Sequence, residues 1–535
     1  MLLHRIHLVL FIIELYFILC SGKSACFIES NLKRISGRST NYDNGSIICE
    51  YTNIPYAWKP KRFEPAKLMP IEEIFNRLFK NAPKKCIQAI DYFVSGQENC
   101  LYLHIYSLWS ENVTRPLQPV FVYLHGGTFN TGTAQEEINN FEEFLLEGII
   151  FVTLNYRLGL FGFSSIANEG IEPNLGFKDQ QLALKWIQDY IYNFGGDPKQ
   201  ITLAGWSAGA AAATYHLYSE GSKNLFSKAI LISGSFLNPW AFNIETERCT
   251  LKFCEDLKIQ NCSKLALRRQ TTRKLMAQYL LNSHFDHFGI QFPCFLPSID
   301  VNGSSISEPP HLLLSKKPVN DVPVLMGYTS LEDNCDVQWG NEYSMNNYTF
   351  PSNNKKIFEI FENISIILRA KETKQNVDSL RRMADMHHGI FKFADVYSGY
   401  SKNPLYLYRF APAHDDGQLC FSVEKGALHG DDMRFIFWKV EPPFSKRSVK
   451  LRLELIELWI NFIKYGYPSP KEYTTTLSEP WKPYERVNRT ILNIGGKLTI
   501  RKQKFSKFYL FWDVFYDCAM FERCDSLTKQ MEKYK

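Results

Sequence analysis

The chain predicts an α/β fold on a large, mostly parallel central sheet with helices on both faces. Three observations carry that expectation. Short apolar, β-branched runs recur along the chain, most of them followed closely by Gly, Ser or Asn. Helical patterns lie between them, so the strands must pair in parallel through crossovers that bury both faces and leave ligands at the strands' carboxyl ends. No internal repeat, low-complexity block or Gly/Ser/Pro linker interrupts the 535 residues, which argues for one domain despite the length.

In chain order, residues 1–22 carry His4 and Arg5, an apolar run from Leu8 to Leu19, and the small residues Ser21 and Gly22. That is the layout of a secretory signal peptide, leaving 23–535 as the single α/β domain. The candidate strands are Val120 to Leu124, Ile149 to Asn155, Ile201 to Ala204, Ala229 to Ser233, Val322 to Met326 and Leu405 to Phe410. Between the second and third, residues 179–194 place Leu182, Leu184, Trp186, Ile187, Tyr190, Ile191 and Phe194 near helical spacing. The break Gly195-Gly196-Asp197-Pro198 follows. No segment after the leader offers the roughly 20 uninterrupted apolar residues of a transmembrane helix, so the mature chain is expected to be soluble.

Composition narrows the function classes. Apolar residues make up 45% and charged residues 22%, the balance of a globular protein with a large core. A net charge of +6 with dispersed Lys and Arg leaves no nucleic-acid footprint. Of the 13 cysteines, Cys20 falls in the leader, and the even remainder suits disulfides in an oxidising compartment. The sequons Asn44, Asn112, Asn261, Asn302, Asn347, Asn363 and Asn488 are glycosylation candidates and point the same way. The mature protein is therefore expected to be secreted and extracellular.

The chemistry concentrates in three segments. Ile201 to Ala204 runs into Gly205-Trp206-Ser207-Ala208-Gly209 and then small residues, which read as strand, sharp turn and helix start. This is the pattern of a nucleophile elbow: the glycines permit a strained turn that exposes the Ser207 hydroxyl, and the helix N-terminus favours developing negative charge. Upstream, the strand ending at Leu124 opens into His125-Gly126-Gly127-Thr128-Phe129, whose N–H groups suit an oxyanion. A serine needs a histidine base oriented by a carboxylate. Glu332 and Asp333 follow one strand and His429 another, in the order serine, acid, histidine found in elbow-type hydrolases. Spacing alone does not separate Glu332 from Asp333. His284, His287, His387 and His388 read as surface or structural histidines. Phe129 and Trp206 suggest an apolar cleft, consistent with esters of lipophilic acids or alcohols, and core packing is an equally good account of such residues.

These segments, with QENCLYL at 97–103, NYRLG at 155–159, NLGFKDQQLALKW at 174–186, KAILISGS at 228–235 and Phe511-Trp512, resemble the type-B carboxylesterase and cholinesterase family of α/β hydrolases. In style they are similar to secreted invertebrate carboxylesterases. The resemblance covers nearly all of the chain after the leader. It implies the α/β-hydrolase fold, Ser207 as nucleophile, Glu332 as acid and His429 as base, with oxyanion donors from Gly127, Thr128 and Ala208. It implies a Cys86–Cys100 disulfide and a structural Glu98–Arg157 ion pair, and it leaves the pairing of Cys249, Cys254 and Cys262 open. It further implies a secreted serine esterase that passes through an acyl-enzyme, acts on small, lipophilic esters and requires no metal or cofactor. Three residues depart from the family pattern: Thr128 replaces a glycine, Trp206 a glutamate or glutamine, and Asp333 a glycine. A different class, an extracellular binding or adhesion protein on the same fold, is the rival; silent relatives usually lose the serine or histidine, and here both remain.

Overall fold

The computed structural model describes residues 26–521, apart from 31–32, 42–44, 76–83, 91–92, 110–115, 136–139, 283–293, 301–302, 304, 333–382, 412–425, 439–444, 470–476 and 478. Its centre is an 11-stranded sheet. The strands are β1 (Arg38–Asn41), β2 (Ile47–Pro55), β3 (Tyr102–Leu108), β4 (Gln118–Leu124), β5 (Ile150–Leu154) and β6 (Gly196–Trp206). They continue as β7 (Lys228–Ile232), β8 (Val324–Thr329), β9 (Leu405–Phe410), β10 (Thr490–Ile494) and β11 (Leu498–Lys502). Across the sheet the order is β11-β10-β9-β8-β7-β6-β4-β5-β3-β2-β1.

From β5 to β10 every neighbouring pair is parallel. Val122 of β4, for example, sits opposite Val152 of β5 and Leu203 of β6. All residues of β5, β7 and β8 are buried, as continuous apolar runs covered on both faces should be. Successive residues alternate between two cores: Val120, Val122 and Leu124 point into one, Phe121 and Tyr123 into the other. Helix α1 (Leu175–Tyr190) and helix α2 (Ala208–Tyr218) feed the first core; α3 (Lys446–Tyr465) feeds the second through Leu455, Trp459 and Phe462. Every residue of α2 is buried, and its alanine run lets the helix approach the sheet closely.

The structure contains the six strands expected from sequence, with shifted ends: the fifth begins at Val324 and runs on to Thr329, and the third extends from Gly196 to Trp206. Helix α1 begins at Leu175 and stops at Tyr190, and a 3-10 turn carries the apolar pattern on to Phe194, where Gly195 at φ +82° ends it. The antiparallel margins, β1 to β3 on one side and β11 on the other, were outside the expectation.

One expected contact is corrected. Arg157 does not pair with Glu98. Its guanidinium grips Asp179 of α1 in a two-pronged bond, with both N···O distances at 2.7 Å, and Glu98 pairs with Arg62 at 2.5 and 2.9 Å. The bidentate fit to a fully buried carboxylate decides the partner, since an isolated buried Asp179 would be very costly.

Cys86 bonds to Cys100, Cys26 to Cys49, Cys249 to Cys294 and Cys254 to Cys262, and Cys518 is also disulfide-bonded. Among the described residues no helix is long and apolar enough to cross a membrane.

Candidate active site

The elbow forms where β6 hands over to α2 with one residue between them. Ser207 occupies that place at φ +55° and ψ −118°, a conformation that L-residues rarely hold. Its N–H donates to the Ile232 carbonyl of β7 at 2.8 Å, which anchors the turn to the sheet. A Cβ on Gly205 would lie 2.2 Å from the Gly209 carbonyl carbon, and one on Gly209 would lie 2.0 Å from the Leu124 carbonyl oxygen of β4, so the turn closes against helix and sheet only because both flanks are glycine.

The loop after β4 wraps over the elbow. Gly127, Thr128 and Phe129 all have positive φ, at +94°, +50° and +61°. Three bonds from Asn130 N–H, Thr131 N–H and the Thr131 hydroxyl converge on the Gly127 carbonyl, at 2.9, 3.0 and 3.2 Å. The Asn130 amide donates to the Thr128 carbonyl at 2.6 Å and accepts from the Tyr279 hydroxyl. With the carbonyls turned away and held, none of the described residues accepts from the N–H groups of Gly127, Thr128 or Ala208. Gln88 clamps the far end of this loop, donating to the Gly132 carbonyl and accepting from its N–H, both at 2.9 Å. Phe129 is fully buried and packs edge-on against Phe163, so it is core and does not line a cleft.

Glu332 follows β8 at φ +55°, and its side chain is fully enclosed. Oε2 lies 2.6 Å from His429 Nδ1, and Oε1 accepts from the Ser233 hydroxyl at 2.7 Å and the Thr329 N–H at 2.6 Å. Burial works to raise this carboxyl, but the hydrogen bond and charge of His429, the nearby His387 and the Thr329 N–H outweigh it and hold it below its ordinary value. Two further bonds lock the Glu332 loop to the His429 loop: Leu331 N–H to the Ala427 carbonyl at 2.9 Å, and Ala427 N–H to the Ser330 hydroxyl at 2.8 Å.

His429 sits at the loop end, and Asp431 begins helix α4 (Asp431–Phe437) just beyond it. The imidazole lies against the Trp206 indole, 5.0 Å between centroids and 29° between planes, which brings His429 beside the elbow. Behind the pair, Asp432 is completely buried. It accepts from the Tyr408 hydroxyl at 2.8 Å and from the Met433 N–H at 2.9 Å. Burial first, and the Glu332 charge second, push its carboxyl up to about 7 against the pull of those donors.

The structure thus brings Glu332 and His429 into contact and puts His429 against Trp206, the neighbour of Ser207. Asp333, His284 and His287 lie outside the described residues. His387 reaches the Thr329 carbonyl at 3.0 Å and His388 reaches Asp513 at 3.2 Å; both are buried and structural, not surface residues. Of the sequons, Asn261 and Asn488 are exposed, and Asn44, Asn112, Asn302, Asn347 and Asn363 lie outside the described residues. Sequence reasoning missed Ser233, although it sits inside the quoted KAILISGS stretch, and Asp432, in plain view after His429. The Asn130–Tyr279 clasp had no local signal, since 149 residues separate its partners. Among the described residues no group of three or more His, Cys, Asp or Glu side chains is arranged to hold a metal ion.

Residues 25–512 match the carboxylesterase family. Esterase E4 of Myzus persicae is 29% identical over 524 residues, spanning 88% of this chain and 91% of that protein. Venom carboxylesterase-6 of Apis mellifera is 31% identical over 77% of this chain and 80% of its own length. A cholinesterase of Mus musculus is 28% identical over 91% of this chain and 86% of its own. Among solved structures, a PNB esterase superposes with a TM-score of 0.70 at 22% identity, over 89% of this chain and 97% of the other, and so shares the α/β-hydrolase fold.

Proposed function

The chain belongs to the carboxylesterase family and is a carboxylic ester hydrolase, and we propose that Ser207, His429 and Glu332 carry out the hydrolysis. Ser207 Oγ attacks the ester carbonyl while His429 takes its proton, and the alcohol leaves with that proton. Water then attacks the acyl-enzyme by the reverse route. Glu332 fixes the tautomer through Nδ1 and stabilises the imidazolium. The N–H groups of Gly127, Thr128 and Ala208 receive the oxyanion, each such donor contributing about 3 to 4 kcal/mol in the transition state. The mechanism calls on no metal or cofactor.

The observation that carries this reading is the 2.6 Å contact between His429 Nδ1 and an enclosed Glu332, on the loop packed against the strained Ser207 elbow. We read residues 1–22 as a leader and 23–535 as one domain released outside the cell; the disulfides among the described residues suit an oxidising compartment. The substrate is a small, lipophilic ester, to which the apolar Trp206 face beside His429 is suited.

The test is hydrolysis of short and medium acyl 4-nitrophenyl esters by the secreted protein beside Ser207→Ala, with organophosphate labelling of both. Turnover and labelling are expected in the native chain and lost together in the variant. A folded native protein that neither turns over nor labels sinks the assignment and favours the binding role.

A further inference from the structure

Trp206 stands where the family resemblance leads one to expect glutamate or glutamine, and the structure shows what the substitution builds. The six-membered ring of its indole is wedged between two glycines on different loops. A Cβ on Gly126, in the loop after β4, would lie 3.0 Å from Trp206 Cε3; a Cβ on Gly430 would lie 2.8 Å from Cζ2. Those two carbons are on opposite sides of the ring. Its face, meanwhile, looks onto the His429 imidazole at 5.0 Å and 29°. One side chain, covalently next to Ser207, therefore touches the loop that offers the oxyanion donors and the loop that carries the base. Its buried Nε1–H has no hydrogen-bond partner among the described residues, so stacking and shape hold the ring in place.

We infer that Trp206 is a positioning residue for the acyl-transfer step, holding His429 in register with Ser207 and stabilising the imidazolium through the indole π face. The inference rests on Ser207 and His429 being the reacting pair. Neutral imidazole gains only packing from the ring. When the Ser207 proton reaches Nε2, the cation gains the attraction of the π quadrupole as well, so the contact strengthens as the reaction proceeds. That difference raises kcat and leaves KM nearly alone.

The charged and titratable groups around His429 are Glu332 on Nδ1, Asp431 and Asp432 on its own segment, and His387 beyond Glu332. None of these changes when Trp206 is replaced. The effect of replacing it therefore falls on kcat through the Trp206 contact itself.

The experiment uses the full secreted chain with 4-nitrophenyl butyrate. Trp206→Leu is expected to lose about ten-fold in kcat with KM held within about two-fold. Trp206→Phe, which keeps an aromatic face, should retain kcat within about three-fold. Where the leucine variant does not accumulate, uniform 5-fluorotryptophan serves, because it thins the π density without changing shape. It should slow the native chain and leave Trp206→Phe unaffected. Native kcat in Trp206→Leu, or a loss that falls on KM and not on kcat, would overturn the inference, as would phenylalanine and leucine failing equally. Failure of the catalytic assignment is told apart by Ser207→Ala, which would then keep its turnover.

Discussion

Thr128 is the residue where local preference and function pull hardest against each other. A β-branched side chain at φ +50° pays roughly 1 to 2 kcal/mol against its own backbone, and the Asn130 clasp with Tyr279 holds it there. Thr128→Gly should therefore stabilise the fold by about 1 kcal/mol, partly offset by backbone entropy, and keep kcat within a few-fold because the N–H stays where it is. Urea denaturation beside ester kinetics checks both halves.

Asp432 makes a prediction of the opposite kind. Its folded proton affinity, at about 7, exceeds the ordinary 3.8. The folded state thus binds the extra proton between those values, and the group's contribution to stability declines as pH rises through that window, by at most about 1.4 kcal/mol per unit. Glu332 acts the other way and lower down: its affinity is depressed, so its contribution is lost only as pH falls below the ordinary 4.5. Asp432→Asn removes the first slope. Its stability relative to the native chain should improve from pH 5 up to about pH 7 and level off above it, and an unchanged difference between pH 5 and pH 7 would refute the assignment.

Between elements, the acid depends on β7 as much as on β8. Ser233, just past the end of β7, donates to Glu332 Oε1, a charge-assisted bond in a dry place. Ser233→Ala should cost about ten-fold in kcat with little change in KM, since it loosens the carboxylate that orients the base. The Cys86–Cys100 disulfide plays a comparable part for the oxyanion loop, because Gln88, two residues from Cys86, clamps Gly132. Replacing both cysteines by alanine should cost about 3 kcal/mol of stability. A fall in kcat larger than the fall in folded fraction would mark the loosened loop.

Legibility from sequence divides along the same lines. The parallel strands could be read because burial on both faces makes them continuous apolar runs, as in β5 and β7. The margins could not: β2 mixes Cys49, Glu50 and Thr52 into its pattern, and β1 is nearly all polar and exposed. Ser207, His429 and Glu332 were legible as a local motif, a spacing and a family pattern. Ser233, Asp432 and the Arg157–Asp179 pair were not read as partners, because contacts between elements leave no periodic trace in the chain.

For the molecule as a whole, the parallel sheet gathers the site at one end. Ser207 follows β6, Glu332 follows β8, and His429 comes from the segment after β9, so three distant stretches meet only when the sheet is complete. The exposed sequons Asn261 and Asn488 bear on the route the chain takes: on the reading of a secreted enzyme, a glycosidase that removes N-linked sugars should increase its gel mobility, and Asn261→Gln with Asn488→Gln should account for part of that shift. A chain with no mobility change would count against passage through the secretory compartment.

The four disulfides whose partners are both described have all closed their loops by residue 294, whereas Glu332 and His429 come later. For a chain synthesised from its N-terminus into an oxidising lumen, this sets a timetable. The nascent chain can be cross-linked across its first half, with Ser207 already made, roughly 7 to 27 seconds before His429 leaves the ribosome. A product terminated before residue 429 would then be an oxidised fragment that holds Ser207 without the histidine proposed to activate it. On the proposal that Ser207 and His429 react together, the newborn chain stays silent toward esters until His429 has been made and folded against the elbow.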